Sequence, residues 1–437
     1  MTFLIIALCI AGLVLLISWA KFNPLLAFLV VSIVAGLLLG IPFNKIVGSV
    51  QKGLGDTLGS LALIIALGAM LGKLVAETGA AQKIASVMMN IFGEKYIQWA
   101  LMITGFIIGI PLFYGVGFVL MVPLIFSVAY QYKLNAVFIG LPMLAALSVT
   151  FGFLPPHPSP TALVVQFNAN LGLTLLYGLV IAIPAILLAG PLFSRTLKNI
   201  NVVPLQTFQP AVLKPEELPG TASCFLSALL PVILLIITTT LPFLFSIPAN
   251  WKPVISFFSE PSIVMLISLG VATVTLGLNH GKSIKEIMNI YTESVKEIAM
   301  ILLIIGSAGS LKQILTDSGV SEQIAKSLSD TSIHPLILAW LMATILRISV
   351  GSATVAGLTT AGIMAPMVSQ AHVDPNLMVL SIGAGSLACS HVNDSGFWLF
   401  KEYFNLSIKD TFRSWTMMES IIAVAGLGGV LLLNLII

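Results

Sequence analysis

Charge is what this sequence has least of. Only 8% of its 437 residues are Asp, Glu, Lys or Arg, against roughly 25% in a soluble domain, so a water-facing surface cannot be assembled from it. Cysteine is scarce as well. Cys9, Cys224 and Cys389 lie in or beside apolar runs at no metal-ligand spacing, which excludes a disulfide framework and a zinc site. The net charge of +3 comes from basic residues scattered singly, so there is no basic face for nucleic acid. A phosphate loop is missing too. The nearest approach, 68-GAMLGKL-74, is one residue short and lacks the hydroxyl, and its small residues four apart suit helix packing. No Gly-x-Ser-x-Gly elbow occurs, and His391, Asp394 and Ser395 are too crowded along one segment for a triad. ATP-driven transport and enzymatic hydrolysis are set aside on these grounds, and no metal or organic cofactor is implied.

What fills the chain instead is apolar. Hydrophobic residues make up 58% and the mean hydropathy is +1.06, which predicts an all-α polytopic membrane protein. A transmembrane helix needs about 20 apolar residues, and simple spans of that kind are expected near 3–19, 24–41, 56–76, 172–193, 223–247, 261–279, 296–315 and 416–436. The first has neither a basic n-region nor a small-residue cleavage site and is expected to be a retained helix. Two runs are too long for one crossing. Residues 97–132 break at 109-GIPLFYGVG-117 and residues 335–371 at 347-RISVGSATVAG-357, so each is expected to be a re-entrant helical hairpin. Two more, 134–168 and 376–400, carry polar breaks at 152-GFLPPHPSP-160 and 389-CSHVNDSGFW-398, and are expected to be discontinuous helices.

The chain also repeats itself. Residues 64-IIALGAMLGKLVAETGAAQKIA-85 align with 304-IIGSAGSLKQILTDSGVSEQIA-325, keeping Ile64, Ile65, Leu71, Gly79, Ile84 and Ala85 and bringing Glu77 opposite Asp317. Further on, Trp99 falls opposite Trp340 and Asn135 opposite Asn376, and His157 and His391 mark corresponding breaks. The expected organisation is a first repeat over 1–194, a polar cytoplasmic linker over 195–222 and a second repeat over 223–437. Five crossings per half invert the second repeat. Loop basic residues such as Lys21, Lys83, Lys95, Lys133, Arg195 and Lys198 fall on the inward side when both termini are periplasmic, which is the expected orientation in a cell inner membrane.

Inverted repeats with matched breaks usually hold a substrate near the midplane, between half-helix ends. Arg347 is the one arginine within an apolar run, and its guanidinium matches a carboxylate bidentately. The alternative is a structural ion pair to Asp394 or Glu77. The hairpin tip offers Ser352, Ala353 and Thr354 as a half-helix N-terminus suited to an anion. Tyr114, His157, Ser159, Asn168, His391 and Asn393 are placed with the same substrate site. For His157 a structural donor, and for Asn168 and Asn170 the ending of a helix, would explain the residues equally well. Asp394 is expected to couple protons, with His391 as runner-up, or to cap the helix beginning at Ser395. Glu77 and Asp317 read as repeated helix ends, and Lys73 as a snorkelling lysine.

These motifs together resemble the gluconate permease family of gluconate:proton symporters, within the broader ion transporter superfamily, over nearly the whole chain. The resemblance is carried by 68-GAMLGKLVAETGAAQKIA-85, 112-LFYGVGFVLM-121, 142-PMLAALSVTFGFLPPHPSPTA-162, 346-LRISVGSATVAG-357 and 390-SHVNDSGFWLFKEYFNLS-407. It implies uptake of a sugar acid with protons as the coupling ion, by an elevator motion of hairpins and broken helices against a scaffold. The partners it implies are a small carboxylate, protons and lipid, with a homodimer as an assembly the sequence leaves open. The chain departs from the family pattern at Gly115, in place of an acid, and at Phe151, in place of a histidine. A different hydroxy acid, such as D-serine or glycerate, and an anion channel stand as alternative functions.

Overall fold

The computed structural model describes residues 2–112, 114–200, 213–245, 248–319, 333–368, 373–392 and 394–437, and among them every regular element is helical. Hydrocarbon leaves a backbone no partner but itself, so apolar segments of this length fold as helices. The first half runs through α1 (Thr2–Val14), α2 (Pro24–Leu38), α3 (Phe43–Glu77) and α4 (Ala80–Phe92). It continues with the paired arms α5 (Ile97–Gly109) and α6 (Tyr114–Gln131), the interrupted pair α7 (Ala136–Phe153) and α8 (Pro158–Gln166), and α9 (Leu171–Leu187). The second half has α10 (Thr221–Leu244), α11 (Lys252–Ser259), α12 (Pro261–Ala272) and α13 (Ile284–Asp317). Then follow the arms α14 (Pro335–Val350) and α15 (Ala353–Val368), the pair α16 (Pro375–Gly385) and α17 (Ser395–Tyr403), and α18 (Ile408–Asn434). Among the described residues six helices are long and apolar enough to cross a membrane, and a seventh if α3, bent by 45° near its middle, is one span.

The spans expected at 56–76 and 296–315 are the inner parts of longer helices. At about 1.5 Å per residue, the 35 residues of α3 reach well beyond a bilayer core of about 30 Å. Their outer turns carry Lys45, Lys52 and Asp56, and those of α13 carry Lys285, Glu286 and Glu293, so counting apolar runs alone misses them. The two helices pack against one another in opposite directions, since Gly53 and Thr57 lie beside Gly309, Leu58 beside Gly306, and Lys73 pairs with Glu297 near the other end. A Cβ on Gly309 would lie 2.0 Å from the Thr57 hydroxyl, so the close approach depends on glycine. Lys73 is thus an interhelical ion-pair partner, with Glu77 also 3.7 Å away.

Corresponding ends obey the same local rule. Glu77 closes α3 and Asp317 closes α13, each followed by a hydroxyl residue and a left-handed glycine, Gly79 (φ 77°) and Gly319 (φ 68°). Residues 320–325 of the aligned stretch lie outside the described residues. The pairing of Asn135 with Asn376 does not carry over to the caps. Asn135 caps α7 by accepting from Phe138 N–H at 3.0 Å, whereas α16 is capped by Asp374. Asn376 instead accepts from the Asn170 N–H and the Thr174 hydroxyl, both at 2.9 Å, tying α16 to α9. The two interruptions also differ. α7 gives way to α8 across 154–157, with His157 as the N-cap, while α16 and α17 are separated by 386–394, with Asp394 as the N-cap. By cap position His157 therefore corresponds to Asp394, and His391 belongs to the longer connection.

Candidate functional site

Four of these helices begin at one place. α6 at Tyr114, α8 at Pro158, α15 at Ala353 and α17 beside Gly396 open onto a cavity of about 280 Å³, at the small end of the range for ligand pockets. They are the returning arms of both hairpins and the second halves of both interrupted helices. Each helix start presents backbone N–H groups without intrahelical partners and a partial positive charge, an arrangement that suits an anion.

Arg347 supplies the full charge. It sits in the last turn of α14, only 4% exposed, where Gly351 (φ 80°) ends the helix by donating its N–H to the Arg347 carbonyl at 2.9 Å. The left-handed conformation needs glycine and turns the chain at once into α15. The guanidinium Nη2 donates to Asp394 Oδ2, while Nε and Nη1 are buried without a hydrogen-bond partner among the described residues. One guanidinium nitrogen is thus committed and two are not.

Asp394 is held from several sides. Oδ2 also accepts from the Ser390 hydroxyl, and Oδ1 accepts from the Gly396 N–H at 3.1 Å, so the residue is both ion-pair partner and helix cap. Ser390 is oriented in turn by the Trp415 indole N–H, 2.7 Å from its Oγ, and by the Thr416 hydroxyl on its carbonyl. Trp415 packs on Tyr114, ring centroids 5.8 Å apart, and the Tyr114 hydroxyl is buried with no partner among the described residues.

The cavity therefore brings together Arg347, Ser352, Ala353, Thr354, Tyr114 and Asp394. Four other expected residues stand elsewhere. His157 donates Nε2–H to the Gly109 carbonyl at 2.6 Å, binding the first interruption to the end of α5, with Phe151 between it and the cavity. Ser159 is buried beside Gly357. His391 donates Nε2–H to the Ile348 carbonyl at 3.1 Å and does not line the cavity. Asn168, left-handed at φ 51°, ends α8 and lines a separate cleft of about 1440 Å³ with Asn170, Lys252 and Glu260. Asn393 lies outside the described residues.

Sequence reading missed two walls. Glu419, 2% exposed in α18, lines the cavity and accepts from the Ser148 hydroxyl of α7 at 2.8 Å. It is the one acidic residue in the apolar run 416–436, which was the available signal. Ser148 carried none. Gly115 and Phe151, the two departures from the family pattern, both line the cavity.

The sequence matches the GntP family permease description across residues 1–436. This chain belongs to the GntP permease family. It is accordingly a multi-pass membrane transporter and not an enzyme. Over the full length of both chains the permease is 47% identical to the high-affinity gluconate transporter of Escherichia coli K12, 47% to the gluconate permease of Bacillus subtilis, and 44% to the Gnt-II system L-idonate transporter of Escherichia coli K12. Among solved structures it shares its fold with the YdaH transporter of Alcanivorax borkumensis, at a TM-score of 0.68 and 14% identity over 95% of this chain and 98% of that one. The Neisseria gonorrhoeae antimetabolite efflux pump MtrF superposes with a TM-score of 0.66, also at 14% identity, over 97% of each chain.

Proposed function

We propose that this permease imports a small hydroxylated monocarboxylate, gluconate or a related sugar acid such as idonate, together with protons. The observation that carries the reading is Arg347, buried at the wall of the cavity among four helix N-termini, with Nε and Nη1 unused among the described residues. A substrate carboxylate can accept from one of those donors, while Tyr114, Ser352 and Thr354 offer hydroxyls to a polyol chain. The names of relatives at 44–47% identity point to the same substrate class. Proton coupling follows from charge. The cavity holds one cation, Arg347, and two carboxyls, Asp394 and Glu419, so an arriving anion leaves excess negative charge in a poorly solvated space unless a proton arrives with it.

In this reading the two halves are inverted repeats, and hairpins and interrupted helices move as a unit against a scaffold that includes the antiparallel pair α3 and α13. Both termini face the periplasm across an inner membrane. The test is a thermal-shift titration of the purified permease with gluconate, idonate, glycerate, D-serine and sorbitol. Gluconate or idonate should stabilise it and sorbitol, which lacks the carboxylate, should not. Equal stabilisation by sorbitol, or none by any sugar acid, would sink the proposal.

A further inference from the structure

We propose that Glu419 is the group that takes up the co-transported proton, while Asp394 remains the fixed counter-charge of Arg347; this rests on the sugar-acid:proton symport reading above. The distinction comes from what surrounds each carboxyl. Asp394 faces donors on both oxygens: the guanidinium, the Ser390 hydroxyl and the Gly396 N–H. Two of these three, the guanidinium and the Gly396 N–H, are donors only and cannot turn to accept from a carboxylic acid. A protonated Asp394 would therefore point a hydrogen at donors and lose part of its network. Glu419 is differently placed. Among the described residues its single hydrogen bond is from Ser148 Oγ at 2.8 Å, and a hydroxyl can donate to a carboxylate or rotate to accept from a carboxylic acid. Both states of Glu419 are thus accommodated by turning one bond.

The neighbourhood supplies no rival. Of the elements packed on α18, α7 and α16 bring no ionisable side chain, α14 brings Arg347, α9 brings Tyr177, which faces Asp374, and α17, packed on the first turns of α18, brings Lys401 and Glu402, paired with each other, and Tyr403, set against Phe118. Cys389 stands beside Ser420 on the flank, and Tyr114 and Asp394 complete the titratable groups around the cavity. The charge balance then closes. With Glu419 ionised the empty cavity carries Arg347 against two carboxylates. With one proton on Glu419 and one substrate carboxylate bound, it carries the same net charge. The proton enters with the anion on one side and leaves with it on the other, regenerating the carboxylate, so transport of one anion with one proton moves no net charge.

The experiment uses proteoliposomes of the full chain with gluconate under an inward proton gradient, beside counterflow at equal pH. Wild type must concentrate gluconate under the gradient; if it does not, the symport reading itself fails. Given that it does, Glu419→Gln should lose gradient-driven accumulation at least tenfold while keeping counterflow, because the amide mimics the neutral acid. Glu419→Asp should restore part of the driven uptake. In a second measurement, Ser148→Ala should displace the pH profile of uptake by about one unit, with Ser148→Thr restoring it. Should Glu419→Gln concentrate gluconate as wild type does, or should the profile stay fixed in Ser148→Ala when Glu419→Gln does not fold, the inference is overturned.

Discussion

Replacing Arg347 separates its two roles in a way that can be measured. In Arg347→Ala the half-buried Asp394 keeps Ser390 and Gly396 as donors but loses its counter-charge. Removing one partner of a buried pair typically costs about 3–5 kcal/mol, and those two remaining donors keep the loss at the lower end. Substrate binding loses more. The two unpartnered donors, Nε and Nη1, point along different edges of the guanidinium, and a charge-assisted hydrogen bond from each, one to the substrate carboxylate and one to a substrate hydroxyl, is worth about 1.5–3 kcal/mol. Together these are about 3–6 kcal/mol, or roughly a 10²- to 10⁴-fold rise in KM at about 1.4 kcal/mol per tenfold. Lysine keeps the charge but replaces the planar, pre-organised fork with a compact ammonium, so Arg347→Lys should raise KM by about 10- to 100-fold. The double variant Arg347→Ala/Asp394→Asn removes the stranded carboxylate, so thermal stability should recover while binding does not. The assays are thermal unfolding of the detergent-purified protein and gluconate counterflow in proteoliposomes. An Arg347→Ala protein that unfolds as one species and binds gluconate within threefold of wild type would refute the assignment of Arg347 to the substrate carboxylate.

Other consequences follow from the same geometry. Gly309→Leu puts a side chain where a Cβ already meets Thr57 Oγ1 at 2.0 Å; overpacking of this kind costs about 1–3 kcal/mol or more, so the unfolding temperature should drop, and an unchanged value would mean α3 and α13 are not closely apposed. Ser352→Cys and Gly115→Cys both face the cavity, and their labelling by a membrane-impermeant thiol reagent should change when gluconate is added, whereas labelling of a cysteine at the exposed Lys52 on α3 should not. Tip cysteines indifferent to substrate would argue against movement of the hairpins.

Much of the architecture was legible because hydrocarbon makes few demands and makes them loudly. A charge-free stretch too long for one crossing, broken by 109-GIPLFYGVG-117 or 347-RISVGSATVAG-357, has to turn, and α5 with α6 and α14 with α15 are those turns. Helix ends were legible where the residue type is dictated locally, as at Gly79 and Gly319. Lengths were less so. The charged outer turns of α3 and α13 stay helical beyond the apolar run, where periodicity rather than hydropathy carries the signal. Exact correspondence between the two interruptions was also out of reach, because the second is longer and moves the N-cap from a histidine to an aspartate.

The site divides along similar lines. Arg347 and Asp394 could be found because a charge in an apolar run calls for a partner, and the hairpin tip could be found because a broken backbone at depth calls for a use. His157, Ser159 and His391 carried the same polar signal, yet two of the three spend it on carbonyls of neighbouring segments, Gly109 and Ile348, which the interruptions bring close. Chain proximity to a break therefore does not decide which side chain faces the cavity. The direction of each helix start does, and that depends on how α7 and α18 pack across the opening. Glu419 shows the converse. It lies far from every break, in a helix that looks like a plain span, and reaches the cavity because the packing of α18 on α7 sets it opposite Ser148. A single acid in an otherwise apolar helix is costly to keep in a membrane, and Glu419 stands in the cavity that Arg347 lines, where the proposed proton uptake would offset that cost.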